Sequence, residues 1–138
     1  MLLALAPAES RAARDMLDQK IAVVSTNRET LDGVQDYLRR AGARPCAVSQ
    51  LKDAPLAARH SDALVLFADD FPVAESLRAV SGLSIELVVV VTQEVESFRA
   101  RSARLARGRM VVLRRPAWGW MLLEALRSTS SKDSPDHV

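Results

Sequence analysis

The sequence predicts one doubly wound α/β domain built around a five-stranded parallel sheet, and three observations support this fold class. Short β-branched runs alternate with longer amphipathic stretches from Lys20 onward, as expected when crossover helices connect parallel strands. Five such strand and helix units can be counted along the chain. The length of 138 residues and the 49% hydrophobic content are sufficient for one buried core, and a second domain is not expected.

The first unit combines a buried-strand run at residues 21–24 with a helix. Thr26 or Asn27 is suited to cap this helix, because short polar side chains bond the free amides of a first turn. Apolar residues then recur at helical spacing as far as Arg40, and Gly42 provides the left-handed stop. The first unit is therefore predicted to end before residue 43.

The second unit consists of a short strand at residues 45–48 and a helix around residues 51–60. Pro55 is compatible only with the first turn of that helix or with a break in it, because proline lacks an N–H and collides with the preceding turn. Cys46 lies within the strand, and we expect it to be a small core residue.

The third and fourth strands are the most apolar runs of the chain. Residues 63–67 form the third strand, which ends in the pair Asp69-Asp70, and Pro72 then begins a helix that Gly82 terminates. Residues 87–91 form the fourth strand, whose continuous valines predict a place inside the sheet.

The last unit follows a strongly basic helix, predicted at residues 94–107, and comprises a strand at 110–113 and a helix at 118–128. Residues 129–138 lack apolar periodicity and are predicted to be a disordered tail. Residues 1–19 form an extension in which 8–18 have the pattern of an additional amphipathic helix. The domain is therefore assigned to residues 20–128.

Composition excludes several classes of protein. The formal net charge is only +2, and Cys46 is the single cysteine, so internal disulfides and multi-cysteine zinc sites are excluded and a reducing, cytoplasmic setting is expected. The apolar N-terminus has no preceding basic residue and meets Glu9 too soon for a spanning helix, so neither a signal peptide nor a membrane anchor is predicted. With no glycine-rich phosphate loop, nucleophile elbow or histidine cluster, we expect no enzyme and no cofactor.

The residues that follow the strands indicate where function should lie, because ligands of such sheets gather beyond the carboxyl ends of the strands. These positions read Ser25-Thr26, Ala68-Asp69-Asp70, Thr92-Gln93 and Arg114-Arg115-Pro116. Their order resembles the CheY-like receiver domains of bacterial two-component response regulators over residues 20–128. The tracts Val91-Thr92 and Val112-Leu113-Arg114-Arg115-Pro116 carry the resemblance, with arginine where receivers have lysine. It implies the strand order 2-1-3-4-5 and a signalling role.

Other positions depart from the receiver pattern. Ser25 and Thr26 stand where the resemblance implies an acidic pair that holds magnesium, and neutral hydroxyls are poor ligands for such a hard cation. The phosphoacceptor position falls on Ala68 when counted from Pro72, or on Phe67 when counted from Asp62, and neither side chain can be phosphorylated. The predicted degenerate phosphorylation pocket comprises Ser25, Thr26, Ala68, Asp69, Thr92 and Arg115.

Two interpretations of the acidic pair at 69–70 stay open. Asp69 and Asp70 are either a displaced phosphorylation site or, with more weight, a solvated loop that caps the following helix. Thr92 is assigned either to switching or to bonding of loop amides. Arg115 is able to pair with Asp69, and we hypothesise that this ion pair replaces phosphate as the lock on conformation.

A basic surface near the last strand predicts a partner site. In receivers, which this chain resembles, the fourth helix, fifth strand and fifth helix form the usual partner or dimer face. One of Trp118 and Trp120 is expected to pack inward and the other to be partly exposed. The partner-binding candidates are Arg101, Arg104, Arg107, Arg114, Trp118 and Trp120.

Three functions follow from these patterns. The first is an atypical, phosphorylation-independent receiver-like domain of a bacterial pathway that binds another signalling protein, or a second copy, through this face. The second is a working phosphoacceptor that uses Asp69 or Asp70. The third, less favoured because no recognition motif is present, is a nucleic-acid-associated regulator that uses the basic residues between Arg99 and Arg115.

Overall fold

A computed structural model describes residues 18–102, 109–117 and 119–131 and confirms the predicted sheet. All strand pairs are parallel and the order is β2-β1-β3-β4-β5. The strands are β1 (Lys20–Val24), β2 (Arg44–Val48), β3 (Ala63–Phe67), β4 (Leu87–Thr92) and β5 (Arg109–Arg114). Because β1, β3 and β4 have a strand on both sides, they alternate little between polar and apolar residues, and β4 is buried along its whole length.

Five α-helices connect or follow the strands in the described part of the chain. They are α1 (Arg28–Arg40), α2 (Ala54–Arg59), α3 (Val73–Ser81), α4 (Val95–Ser102) and α5 (Gly119–Ser131). Of the two predicted caps for α1, Asn27 is the one used, since its side chain accepts a hydrogen bond of 3.0 Å from the backbone N–H of Thr30. Gly42 follows the helix with a φ of 94°, the left-handed conformation expected of it.

The sheet separates two apolar layers. On one face, Ile21, Val23 and Leu38 pack with side chains of α5. On the other face, Val24, Leu66 and Val90 pack with side chains of α2, α3 and α4. Alternate residues of one strand thus enter opposite layers, which is the two-residue period of a strand buried on both faces. This arrangement leaves the carboxyl edge of the sheet for polar groups.

Several predicted boundaries differ from the structure. The second helix is divided into a 3₁₀ turn (Leu51–Asp53) and α2, with Pro55 in its first turn as proline requires. Helix α4 begins one residue later than predicted, and residues 103–108 lie outside the described residues. Helix α5 continues to Ser131, three residues into the predicted tail, because an established helix extends at little cost through polar residues.

Cys46 corrects a prediction. It was expected in the core, but its side chain is exposed. Strand β2 is the edge strand of the sheet, and only Val48 among its residues is buried. The predicted N-terminal helix lies mostly outside the described residues, as does the tail after residue 131. Within the described residues, no helix has the length and hydropathy needed to cross a membrane.

Candidate functional site

The candidate site lies where strands β1, β3 and β4 end beside one another. Strand β3 lies between the other two, and it is followed directly by a 3₁₀ turn, Ala68–Asp70. Consecutive residues in such a tight turn point in different directions. As a result the two aspartates of the turn reach the ends of two different strands.

Asp69 turns toward β4 and β5. Its Oδ1 accepts a hydrogen bond of 2.6 Å from Thr92 Oγ1, and its Oδ2 accepts one of 2.9 Å from the backbone N–H of Gln93. The guanidinium Nη1 of Arg115 lies 3.6 Å from the same Oδ2. The ion pair anticipated from the sequence is therefore present, although the two hydrogen bonds are the shorter contacts. The Asp69 side chain is 25% exposed and that of Arg115 46%.

Asp70 turns the opposite way, toward β1. Its Oδ2 accepts a hydrogen bond of 2.5 Å from Ser25 Oγ and another of 3.1 Å from the backbone N–H of Thr26. The hydroxyl of Thr26 has no part in these contacts. Thus Asp70 ties β3 to β1 as Asp69 ties β3 to β4, and the two carboxylates brace the carboxyl edge across three adjacent strands.

Ser25 and Thr92 have the same local geometry. Ser25 Oγ also accepts from the backbone N–H of Asn27 at 3.0 Å, and Thr92 Oγ1 accepts from that of Glu94 at 3.1 Å. Each hydroxyl therefore donates to a carboxylate and accepts from the amide two residues ahead, which is a common role of serine and threonine in turns. Both residues are buried, with exposed fractions of 0% and 2%. For Thr92, the contact with loop amides suggested by the sequence is observed.

Ala68 and Phe67 occupy the two alternative phosphoacceptor positions. Phe67 ends β3 and packs against the layer that contains α5, whereas Ala68 begins the turn and is 4% exposed. The carbonyl of Ala68 accepts from the backbone N–H of Phe71 at 3.1 Å. Ser76, fully buried on α3, also points its hydroxyl at this carbonyl, at 3.5 Å. Neither candidate position supplies a group that accepts phosphate.

The preferred interpretation of Asp69 and Asp70, a solvated loop that caps a helix, is wrong in its capping part, although Asp69 is exposed and Asp70 partly exposed. Both carboxylates are hydrogen-bonded to neighbouring strand ends, and α3 has Pro72 at its N-cap with no side-chain cap. The physical reason is the 3₁₀ turn, which was not predicted and which directs the side chains back over the sheet.

The residues at the end of β1 do not fit a magnesium ion. Mg²⁺ prefers anionic oxygen ligands, and among the described residues the only carboxylate bonded at the carboxyl end of β1 is that of Asp70. The Ser25 hydroxyl points its proton at that carboxylate and its lone pair at an amide. Among the described residues no group of three or more histidine, cysteine, aspartate or glutamate side chains is arranged to hold a metal.

The predicted partner-binding residues are only partly described. Arg101, Arg114 and Trp120 are exposed, and Trp120 is 60% exposed. Arg114 Nη1 donates to the carbonyl of Gln93 at 3.1 Å, so it lies beside the site. The remaining candidates, Arg104, Arg107 and Trp118, lie outside the described residues, and the expected inward packing of one tryptophan is untested.

Asp70 and Gln93 belong to the site, although neither was in the predicted pocket. Gln93 contributes a backbone amide, which no side-chain pattern reveals. Asp70 was considered only as an alternative phosphoacceptor or as a residue of a solvated capping loop. A signal was nonetheless present, because two acidic residues follow a strand that lies between two strands ending in hydroxyl residues, Ser25 and Thr92.

Comparisons with known proteins support the fold. No protein-family model matches the chain, and no curated protein matches it. Several solved structures, however, do match the chain. A chemotaxis protein of Vibrio cholerae, CheY4, superposes with a TM-score of 0.68 at 16% identity, covering 81% of this chain and 98% of that one.

Two further structures extend the comparison. A response regulator from Thermotoga maritima gives a TM-score of 0.66 at 19% identity, covering 83% and 99% of the two chains. The anti-anti-sigma factor PhyR of Bartonella quintana gives 0.60 at 11% identity, covering 94% of this chain and 55% of that one. The chain therefore has the CheY-like receiver fold, as the sequence predicted.

Proposed function

From this receiver fold we propose that the protein is a phosphorylation-independent signalling domain that acts by binding another protein and not as an enzyme. The observation that carries the proposal is the coordination of Asp69. Its carboxylate takes the hydroxyl of Thr92, the amide of Gln93 and the charge of Arg115. An anion that bound at this edge would need the same three groups. The Asp69 carboxylate, an internal anion, already engages them.

The internal anion makes phosphate unnecessary for holding the edge in one conformation. A hydrogen bond with an ionised acceptor is worth more than a neutral one, and Asp69, which follows β3, accepts two of them from the end of the neighbouring strand β4. Covalent transfer to Asp69 would first have to break both bonds. It would also proceed without an acidic cation site to neutralise the developing charge, since Ser25 and Asp70 offer one carboxylate between them.

The remaining elements of the proposal rest on the signalling roles named for the structural neighbours. CheY4 is a chemotaxis protein, and PhyR is an anti-anti-sigma factor. We propose a comparable cytoplasmic role in a bacterial pathway. The exposed Arg101, Arg114 and Trp120 support the face around β5 as the partner site.

The test is a two-dimensional amide NMR titration with magnesium and beryllofluoride, a mimic of phosphoaspartate. We expect no saturable shift at the amides of Ser25, Asp69, Thr92 and Arg115. A phosphorylatable receiver measured in the same buffer provides the positive control. Saturable shifts that disappear in Asp69→Ala or Asp70→Ala would refute the proposal and identify a working phosphoacceptor.

A second measurement tests the internal anion directly. In Asp69→Ala the donors at Thr92, Gln93 and Arg115 lose their acceptor, and inorganic phosphate should then bind among them. We expect a saturable phosphate-dependent shift of the Gln93 amide in Asp69→Ala but not in the wild type or in Asp70→Ala. A wild-type response equal to that of Asp69→Ala would show that Asp69 does not occupy this position.

A further inference from the structure

The two edge strands of the sheet differ in their ability to accept another strand. In a parallel ladder, a residue bonds one neighbour with both its N–H and its C=O, and successive residues alternate. On β2, the N–H of Arg44 donates to Gln19 at 2.7 Å, so the backbone groups of Pro45 and Ala47 point away from the sheet. Pro45 has no N–H to offer, which protects this edge as proline commonly does.

Strand β5 has no such protection. The N–H of Arg109, at the start of β5, donates to the carbonyl of Glu86 at 2.9 Å, and that of Arg115, directly after the strand, donates to the carbonyl of Thr92 at 3.2 Å. The residues between them alternate, and those whose backbone groups point away from β4 are Met110, Val112 and Arg114. None of them is a proline, and β5 is the last strand of the sheet in the described part of the chain. This edge therefore presents a complete outward set of donors and acceptors.

A groove runs along the same edge. It has a volume of about 400 Å³ and lies between β5 and the first turns of α5. Its apolar walls include Val111 and Leu113 from the strand and Trp120 from the helix. Trp120 is 60% exposed, an unusual exposure for a side chain that gains so much by burial. The groove is suited to receive a side chain from a strand placed beside β5.

The charges around the groove indicate which kind of strand would pair with the β5 edge. Arg109 and Arg114 stand at the two ends of β5, and one carboxylate, that of Glu124, lies in the helical wall. A second copy of this chain suits the edge less well. The longest antiparallel register of two β5 strands is centred on Val112 and places Arg109 opposite Arg115 twice, and like charges at facing positions are destabilising.

We propose that the β5 edge binds an extended protein segment with an apolar centre and acidic ends, which adds to the sheet as a sixth strand. The backbone groups of Met110, Val112 and Arg114 pair with it, and one of its apolar side chains packs beneath Trp120. This proposal rests on the proposed function and specifies the partner of the same face. The internal anion at Asp69 is independent of it.

The probe is a blocked octapeptide, EDVTVIDE, with KKVTVIKK as its charge-reversed control. Amide hydrogen exchange of the whole protein is followed with and without peptide. We expect slower exchange at the outward amides of Met110, Val112 and Arg114, and no change at the inward amides of Val111 and Leu113. Such alternation is specific to strand addition, because a peptide that covers the face without pairing would not distinguish neighbouring residues.

Two variants locate the site. Trp120→Ala should weaken binding of EDVTVIDE by at least about tenfold, as for a central aromatic anchor. Leu56→Ala is the matched control, since Leu56 is 61% exposed but lies beside β2, and it should change the affinity by less than about twofold. At position 114, Arg114→Pro should weaken binding more than Arg114→Gln, because only proline also removes the outward N–H.

Three results would overturn the inference. The first is absence of binding of EDVTVIDE at millimolar concentration, and the second is equal binding of the lysine peptide. The third is a dimer in sedimentation equilibrium whose β5 amides are already protected without peptide, which would assign the edge to self-association. If beryllofluoride still produces no shift in these cases, the proposed function stands and only its partner mode fails.

Discussion

Replacing Asp69 by alanine should destabilise the domain more than any change at Arg115. The substitution leaves the hydroxyl of Thr92 and the amide of Gln93 without their acceptor. Hydrogen bonds to charged groups contribute about 1.5–3 kcal/mol each, and the lower end applies because the Asp69 side chain is 25% exposed. We expect a total loss of about 3 kcal/mol, which corresponds to a fall in Tm of roughly 10–15 °C for a domain of this size.

The ion pair contributes less. Arg115 is 46% exposed, and its Nη1 lies 3.6 Å from the carboxylate, so the contact resembles a surface salt bridge worth about 0–1 kcal/mol. Arg115→Gln should therefore cost under about 1 kcal/mol. Asp69→Asn keeps an acceptor oxygen for one of the two donors. Its loss of stability should therefore lie between that of Asp69→Ala and that of Arg115→Gln.

Urea unfolding followed by circular dichroism, with a double-mutant cycle between Asp69 and Arg115, measures these quantities. Asp70→Ala is the structural control. It should also lose stability, through Ser25 and Thr26, yet leave the Gln93 amide signal unchanged. If Asp69→Ala unfolds within about 0.5 kcal/mol of the wild type, or if Arg115→Gln costs as much as Asp69→Ala, the hydrogen bonds of Asp69 do not hold this edge.

Four further variants test neighbouring features. Arg115→Glu places two like charges together and should cost about 1–2 kcal/mol by urea unfolding, whereas Arg115→Lys should stay within about 0.5 kcal/mol; an unaffected Arg115→Glu would exclude the lock. Gly119→Ala should lower the Tm, at a cost of about 1–3 kcal/mol, because its Cβ would lie 2.7 Å from the ring of Tyr37. A Cβ added at Gly33 would have no atom within 4 Å, so Gly33→Ala should raise stability by about 0.5–1 kcal/mol. Equal effects of the two glycine variants would contradict the close contact between Gly119 and Tyr37.

Much of the fold was predictable because each strand is specified by a short, continuous stretch of sequence. The valine run of β4 and the alternation of strands with amphipathic helices depend on residues close together in sequence. Strand β2 was found for the same reason, but the exposure of Cys46 was not. A strand's position at the edge depends on which other strands pair with it, and only the assembled sheet decides that.

The groups available at the carboxyl edge can be read from the sequence alone. It placed hydroxyls at Ser25 and Thr92, left Ala68 without a reactive group, and supplied Asp69 and Arg115, because strand ends can be read from where apolar runs stop. The resemblance to receivers, and with it the strand order, depended on the same positions.

The pairing of those groups depends on the three-dimensional fold. A 3₁₀ turn directs Asp69 to one neighbouring strand and Asp70 to the other, and 23 and 45 residues separate them from Thr92 and Ser25. Contacts over such separations depend on strand order and on the orientation of one short turn. No local pattern encodes either property, and the use of the Gln93 backbone amide leaves no trace in the side-chain sequence.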